Sequence, residues 1–213
     1  ATYMQWYLPL AFTVETRQWA RLDDLLASMR VDASSLDPRG TVTLHVIKGL
    51  AAVHQGDLES ARTHRDQATE ALGEDEAKAL QIQIRQLKGR LAQAAGDSDA
   101  ALEHLKTAAD LEAETPLDFG PPFPIKPAHE LYGEVLLELD RPAEAQAQFE
   151  QALERYPKRV LSLHGHARAA AQAGQMDAAR ESRTTLQSIW DEADASVQAD
   201  LSALTSEAQP NDQ

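Results

Sequence analysis

Three short stretches place two polar or aromatic side chains three residues apart, just ahead of a glycine: His45-x2-Lys48-Gly49, Arg85-x2-Lys88-Gly89 and His129-x2-Tyr132-Gly133. On a helix, residues three apart share a face, so each pair forms one patch. Equivalent helices laid side by side would align the patches into a ladder. Imidazole, ammonium and guanidinium groups in such a row are suited to carboxylates, either on a small anion or on an acidic peptide. The plainer reading is that they snorkel to solvent or pair with nearby acids. His166 repeats the second position later in the chain. A second candidate is the segment Pro116 to Pro127, where five prolines forbid helix and Phe119, Phe123 and Ile125 are too apolar for a mere spacer. It would form one wall of a pocket, act as a polyproline-like ligand, or pack as a linker over neighbouring helix ends.

Other chemistry is poorly served. The seven histidines include no pair at i, i+4 spacing, and His164 and His166 point to different sides of a helix, so no metal site is expected. The absence of cysteine removes disulfides and thiolate ligands. No nucleophile elbow, phosphate-cradling loop or dinucleotide fingerprint occurs, so no catalytic residue and no cofactor is expected. Glu130, Glu134 and Glu138 read as a solvated stripe that would favour a basic partner if turned inward. A net charge of −14 repels nucleic-acid phosphates and anionic membranes. No apolar run approaches the roughly 18 residues of a membrane helix, and Ala1-Thr2-Tyr3-Met4 does not open a signal peptide. The expected partner is a protein or peptide, not nucleic acid or membrane, and the expected location is soluble, in cytoplasm or periplasm.

The elements that must position these residues are helices. Ala, Leu, Gln, Glu and Arg dominate the runs, and Val, Ile and Thr never alternate as in strands. Between Ala128 and Pro157 the chain reads His129-x2-Tyr132-Gly133-x2-Leu136, then Ala145-x3-Phe149, Ala152 and Pro157. Small Gly133 and Ala145 let two antiparallel helices approach. Asp140 is placed to cap the second helix, Pro142 to start it and Pro157 to stop it. The frame recurs at Gly49, Gly56-Asp57, Ala61 and Ala68, at Gly89, Gly96-Asp97, Ala101 and Ala108, and at Ala167, Gly174, Ala179 and Leu186. The spacing predicts helix pairs at 3–15 and 19–30, 38–55 and 57–72, 75–95 and 97–113, 126–139 and 141–155, and 159–173 and 175–192, with a kink at Pro9. Trp6, Trp19 and Trp190 fit core and capping places.

This frame resembles the tetratricopeptide repeat family. The resemblance implies an all-α, right-handed α-solenoid of about five tetratricopeptide-like hairpins plus a C-terminal helix near 195–205, forming one domain over 1–205 with a frayed tail at 206–213. It also implies that the first helix of each hairpin lines a concave groove that binds peptides or proteins. The family's Lys/Asn/Arg carboxylate clamp does not map onto this chain. The expected function is a non-enzymatic scaffold with His45, Lys48, Arg85, Lys88, His129, Tyr132, Phe119 and Phe123 at the partner. One alternative is a small-anion sensor whose pocket joins the ladder to the Phe119–Phe123 loop. Another is an accessory segment of a larger repeat protein. The apolar start Tyr3, Trp6, Tyr7 and Leu8 would then pack on further repeats or drive self-association through the first hairpin.

Overall fold

A residue that follows a helix in the left-handed conformation lets the next N–H reach back five residues and close the helix end. Among the described residues, this chain uses that device at Arg30, where the Val31 N–H donates to the Leu26 carbonyl at 3.0 Å, and at four turns between paired helices. Gly56, Gly96, Asp140 and Gly174 have φ of 78°, 85°, 57° and 78°. The following N–H groups of Asp57, Asp97, Arg141 and Gln175 donate to the carbonyls of Ala52, Ala92, Leu136 and Ala170 at 2.7–2.9 Å. Asp57 and Asp97 then cap the next helix, their carboxylates accepting from the N–H groups of Ser60 and Ala100. Asp140 departs from expectation. It takes the left-handed place that glycine holds elsewhere, so Arg141 becomes the residue before the helix and Pro142 its first residue.

The structure is a computed structural model that describes residues 2–72, 77–117 and 120–191. Among the described residues it is all helix, in five hairpins: α1 (Tyr3–Thr16) and α2 (Leu22–Ser28), α3 (Pro38–His54) and α4 (Leu58–Leu72), α5 (Lys78–Ala94) and α6 (Ser98–Ala113), α7 (Ala128–Glu138) and α8 (Pro142–Arg155), α9 (Val160–Gln172) and α10 (Met176–Asp191). The first helix of each pair is called A and the second B. Helix α1 includes Pro9 within its span. The predicted helix near 195–205 and tail 206–213 lie outside the described residues, as do loop residues 73–76 and Phe119.

Backbone contacts divide the chain into two compact units, Ala1–Tyr132 and Gly133–Gln213. In the first unit, α3 is packed against α1, α4 and α5. It buries Val42, Leu44, Val46, Ile47, Leu50 and Val53, which together cover more than half of the helix circumference. Only a narrow stripe, Thr41, His45 and Lys48, stays half-buried, and α5 repeats it at Gln81, Arg85 and Lys88. The close approach that buries so much of each A helix comes from glycine. A Cβ on Gly49 would lie 2.5 Å from Leu87, and one on Gly89 would lie 2.6 Å from Leu105.

In the second unit, Phe149 of α8 is fully buried and its ring lies against both Gly133 and Gly165. A Cβ on Gly165 would overlap the ring. Overpacked cores lose about 1–3 kcal/mol, so Gly165→Ala is expected to destabilise the protein by that amount in denaturant titration. Phe149→Leu added to it should restore part of the loss in a double-mutant cycle. Additive losses would show that the ring and the glycine do not share this space.

Candidate functional site

The A helices of the first unit present two faces, and the chain treats them differently. One face is covered by the chain's own proline-rich segment. Pro122 offers its carbonyl to the Tyr7 hydroxyl of α1, which donates at 2.9 Å. Phe123 lies under the Arg39 guanidinium of α3, 3.8 Å from the ring centroid, a cation–π contact. Ile125 is 2% exposed within the core that α1, α3 and α5 build. The Lys126 carbonyl accepts from Gln86 Nε2 of α5 at 2.8 Å. Residues 120–127 thus form a strap across three successive A helices, with a cis peptide at Phe123–Pro124. The expectation of an open A-helix groove does not hold here, because apolar side chains and paired carbonyls of the strap fill it.

The far end of the strap is tied by charge. Lys126 and Glu130, four residues apart, pair at 2.8 Å with side chains 6% and 0% exposed. The buried Glu112 carboxylate of α6 accepts from the N–H groups of Ala128 at 2.9 Å and His129 at 3.4 Å, capping α7 from another helix. Both buried carboxylates have partners, which is the condition for burying such groups at tolerable cost.

The ladder lies on the other face. Arg39 and Lys48 are nine residues apart on α3, half a turn round the helix, so Phe123 and Lys48 belong to opposite sides. Phe123 and the ladder therefore do not line one pocket. Lys48 pairs with Asp23 of α2 at 2.8 Å, and with His64 of α4 it lines a cleft of about 270 Å³ that also includes Trp19, Gln55 and Asp57. Trp19 stacks on His54 at 4.5 Å. Asp23 is 84% exposed, so its ion pair contributes at most about 1 kcal/mol.

His45 and His64 bring their Nδ1 atoms within 3.1 Å, and His64 Nδ1 is also 3.1 Å from Gln67 Oε1. The carboxamide oxygen only accepts, so the His64 Nδ1–H lies between two acceptors while His45 is neutral there. Burial first, then His64 and Lys48, push the His45 pKa down. Burial first, and Lys48, push His64 down against the raising effects of Gln67, Asp23 and Asp57. One hairpin later, burial, Arg85 and Lys88 push His104 down, with Glu103 opposing. The third pair, His129 and Tyr132, is half-buried like the first two. His129 is engaged at the capped start of α7, and Tyr132 packs against Ile82, Ala108, Ala109 and Ala128. In the second unit, His166 lies 2.8 Å from the Ser182 hydroxyl and 3.3 Å from Glu150.

The structure adds residues that sequence reasoning missed. Tyr7, Arg39 and Gln86 hold the strap and carried no sequence signal. His64 and His104 complete the ladder from the B helices; their 40-residue spacing, the same as that of Lys48 and Lys88, was the available clue. In the first hairpin Trp6 and Tyr7 are buried, whereas Met4, Leu8 and Phe12 form an exposed stripe on α1. Among the described residues, no cluster of three or more His, Asp or Glu converges as metal ligands. No helix among them is long and apolar enough to cross a membrane.

Two family models described as tetratricopeptide repeat match the chain, one over residues 132–182 and the other over residues 42–67 and 87–107. No curated protein matches it.

Lowered histidine pKa values set a pH dependence. The unfolded chain takes up protons near pH 6.5, before the folded ladder does, so stability is full above that value and falls as pH drops through it. The midpoint of thermal unfolding should decline from pH 7.5 to pH 5, and His45→Gln/His64→Gln should flatten that decline. An unchanged slope would remove these rings as its source.

Proposed function

The chain is a tetratricopeptide repeat protein, and from that premise we propose that it is a non-enzymatic scaffold that holds an extended, proline-containing protein segment on the A-helix face of its first unit. Tetratricopeptide repeats generally mediate protein–protein interactions. The observation that carries the finer reading is the strap. Tyr7 and Gln86 donate to main-chain carbonyls of Pro122 and Lys126, and Arg39 caps an aromatic side chain between them. Side-chain donors spaced along three helices and aimed at a non-helical backbone are what peptide recognition requires. The strap shows the kind of sequence that suits the face: an aromatic, a β-branched residue and prolines, whose stiff backbone has little entropy to lose. In this reading the internal segment competes with an external one of similar chemistry.

A labelled peptide with the sequence of residues 116–127 tests this by fluorescence anisotropy. Phe123→Ala loosens the internal strap, so this variant is expected to bind the peptide at least about tenfold more tightly than the unmodified chain. Adding Tyr7→Phe and Gln86→Met, which remove the two donors, should reverse the gain. A folded Phe123→Ala protein that binds the peptide no better than wild type would sink the proposal.

A further inference from the structure

We propose that Arg85 and Lys88 of α5 and His104 of α6 together bind a carboxylate side chain of an extended acidic protein segment, with Lys48 and His64 taking a second carboxylate one hairpin earlier. The surface is separate from the strap-covered face, so this reading stands whether or not that face admits a peptide.

The first argument is internal repetition. His45, Lys48 and His64 recur 40 residues later as Arg85, Lys88 and His104. The first trio already holds a carboxylate: Asp23 Oδ1 of α2 is 2.8 Å from Lys48 Nζ. The protein itself therefore supplies an example of the ligand at the equivalent position. Asp23 is almost fully exposed on its outer side, so an incoming carboxylate can replace it at little cost.

The second argument is what the other trio lacks. Arg85 and Lys88 are both half-buried, yet among the described residues neither forms an ion pair or hydrogen bond. The buried Nδ1 of His104 also has no hydrogen-bond partner. The chain carries 34 acidic and 20 basic residues, and although Glu103 lies near His104, neither cation forms an ion pair with it, which needs a reason. A carboxylate has two oxygens and several lone pairs, enough to satisfy a guanidinium or ammonium and an imidazole N–H together. Burial first, then the two cations, push the His104 pKa down against the raising effect of Glu103, and a bound anion relieves part of that disfavour.

Geometry sets the ligand. α3 and α5 are packed neighbours, which places their axes about 8–10 Å apart. An extended chain advances about 3.3 Å per residue, so acids three residues apart reach both trios. A short segment suits a protein of net charge −14 better than nucleic acid does, because a long polyanion would lie over acidic surface as well.

The test uses the full chain and a fluorescent peptide with glutamate at every third position, beside its glutamine counterpart, at low ionic strength. The glutamate peptide should bind and the glutamine peptide should not. Lys88→Glu and Arg85→Glu should each weaken binding about tenfold or more. Lys106→Glu makes the same change in net charge at an exposed site on α6 and should have little effect. Asp23→Asn should tighten binding. Should a charge reversal impair folding in thermal unfolding, Lys88→Gln carries the same expectation in weaker form. Equal loss from Lys88→Glu and Lys106→Glu would reduce the effect to net charge and overturn the site. Failure of the glutamate peptide to bind would overturn it as well. Tighter binding of a single-stranded oligonucleotide of equal charge would assign the surface to phosphates instead.

Discussion

Where α5 crosses α6, Leu105 occupies the space that a Cβ on Gly89 would fill. The same intimacy recurs at Gly49 with Leu87 and at Gly133 and Gly165 with Phe149. Close approach of this kind lets dispersion and burial act over most of a helix surface. It also decides where polar groups can go. In the first unit the residue just before each such glycine, Lys48 or Lys88, falls at the rim of the crossing and is neither fully buried nor free. The ladder is thus a by-product of packing geometry that places charge at the edge of a helix crossing.

Much of this was legible from residue spacing. Glycine and alanine at fixed offsets predicted the hairpins, and Gly56-Asp57 and Gly96-Asp97 predicted the turns, because both signals are local and depend on backbone conformation. Asp140 was misread for the same reason. Aspartate serves as a helix cap and also tolerates the left-handed conformation, and only the bond from Arg141 N–H to the Leu136 carbonyl decides between them. The strap was beyond reach in the sequence. Its anchors join residues 115 positions apart, Tyr7 to Pro122, and 40 apart, Gln86 to Lys126. Two of them are made to carbonyls, which every residue possesses. Periodicity carries no information about such contacts. The ladder residues sit on helices as anticipated, and Tyr132 also packs against an apolar cluster.

Charge is distributed to match this division. The strap face uses ions internally: Lys126 with Glu130 in a buried pair, Glu112 at the start of α7. A buried pair adds little net stability against an apolar substitute, yet breaking it is expensive, so it fixes position. The other face keeps its cations half-buried at the boundary with water, Lys48 in an ion pair with Asp23. The two sides of the same A helices therefore differ in kind. One is rigidly satisfied and the other is polar and half-hydrated.

The strap's anchoring also bounds how the first unit can respond to a peptide. Lifting residues 120–125 exposes Ile125 and frees Tyr7 and Arg39. Full burial of an isoleucine contributes about 1.5–3 kcal/mol, a neutral hydrogen bond about 0.5–1.5 kcal/mol and a cation–π contact about 0.5–1 kcal/mol at an exposed site. Release also returns backbone entropy to the strap, which opposes these contacts. A competing segment loses from its intrinsic affinity whatever free energy holds the strap closed. Because Lys126, Glu130 and Glu112 stay in place at the start of α7, the displaced strap remains tethered and can close again. Such an arrangement rejects weak, generic apolar peptides and admits only segments that reproduce both the carbonyl spacing and the aromatic contact.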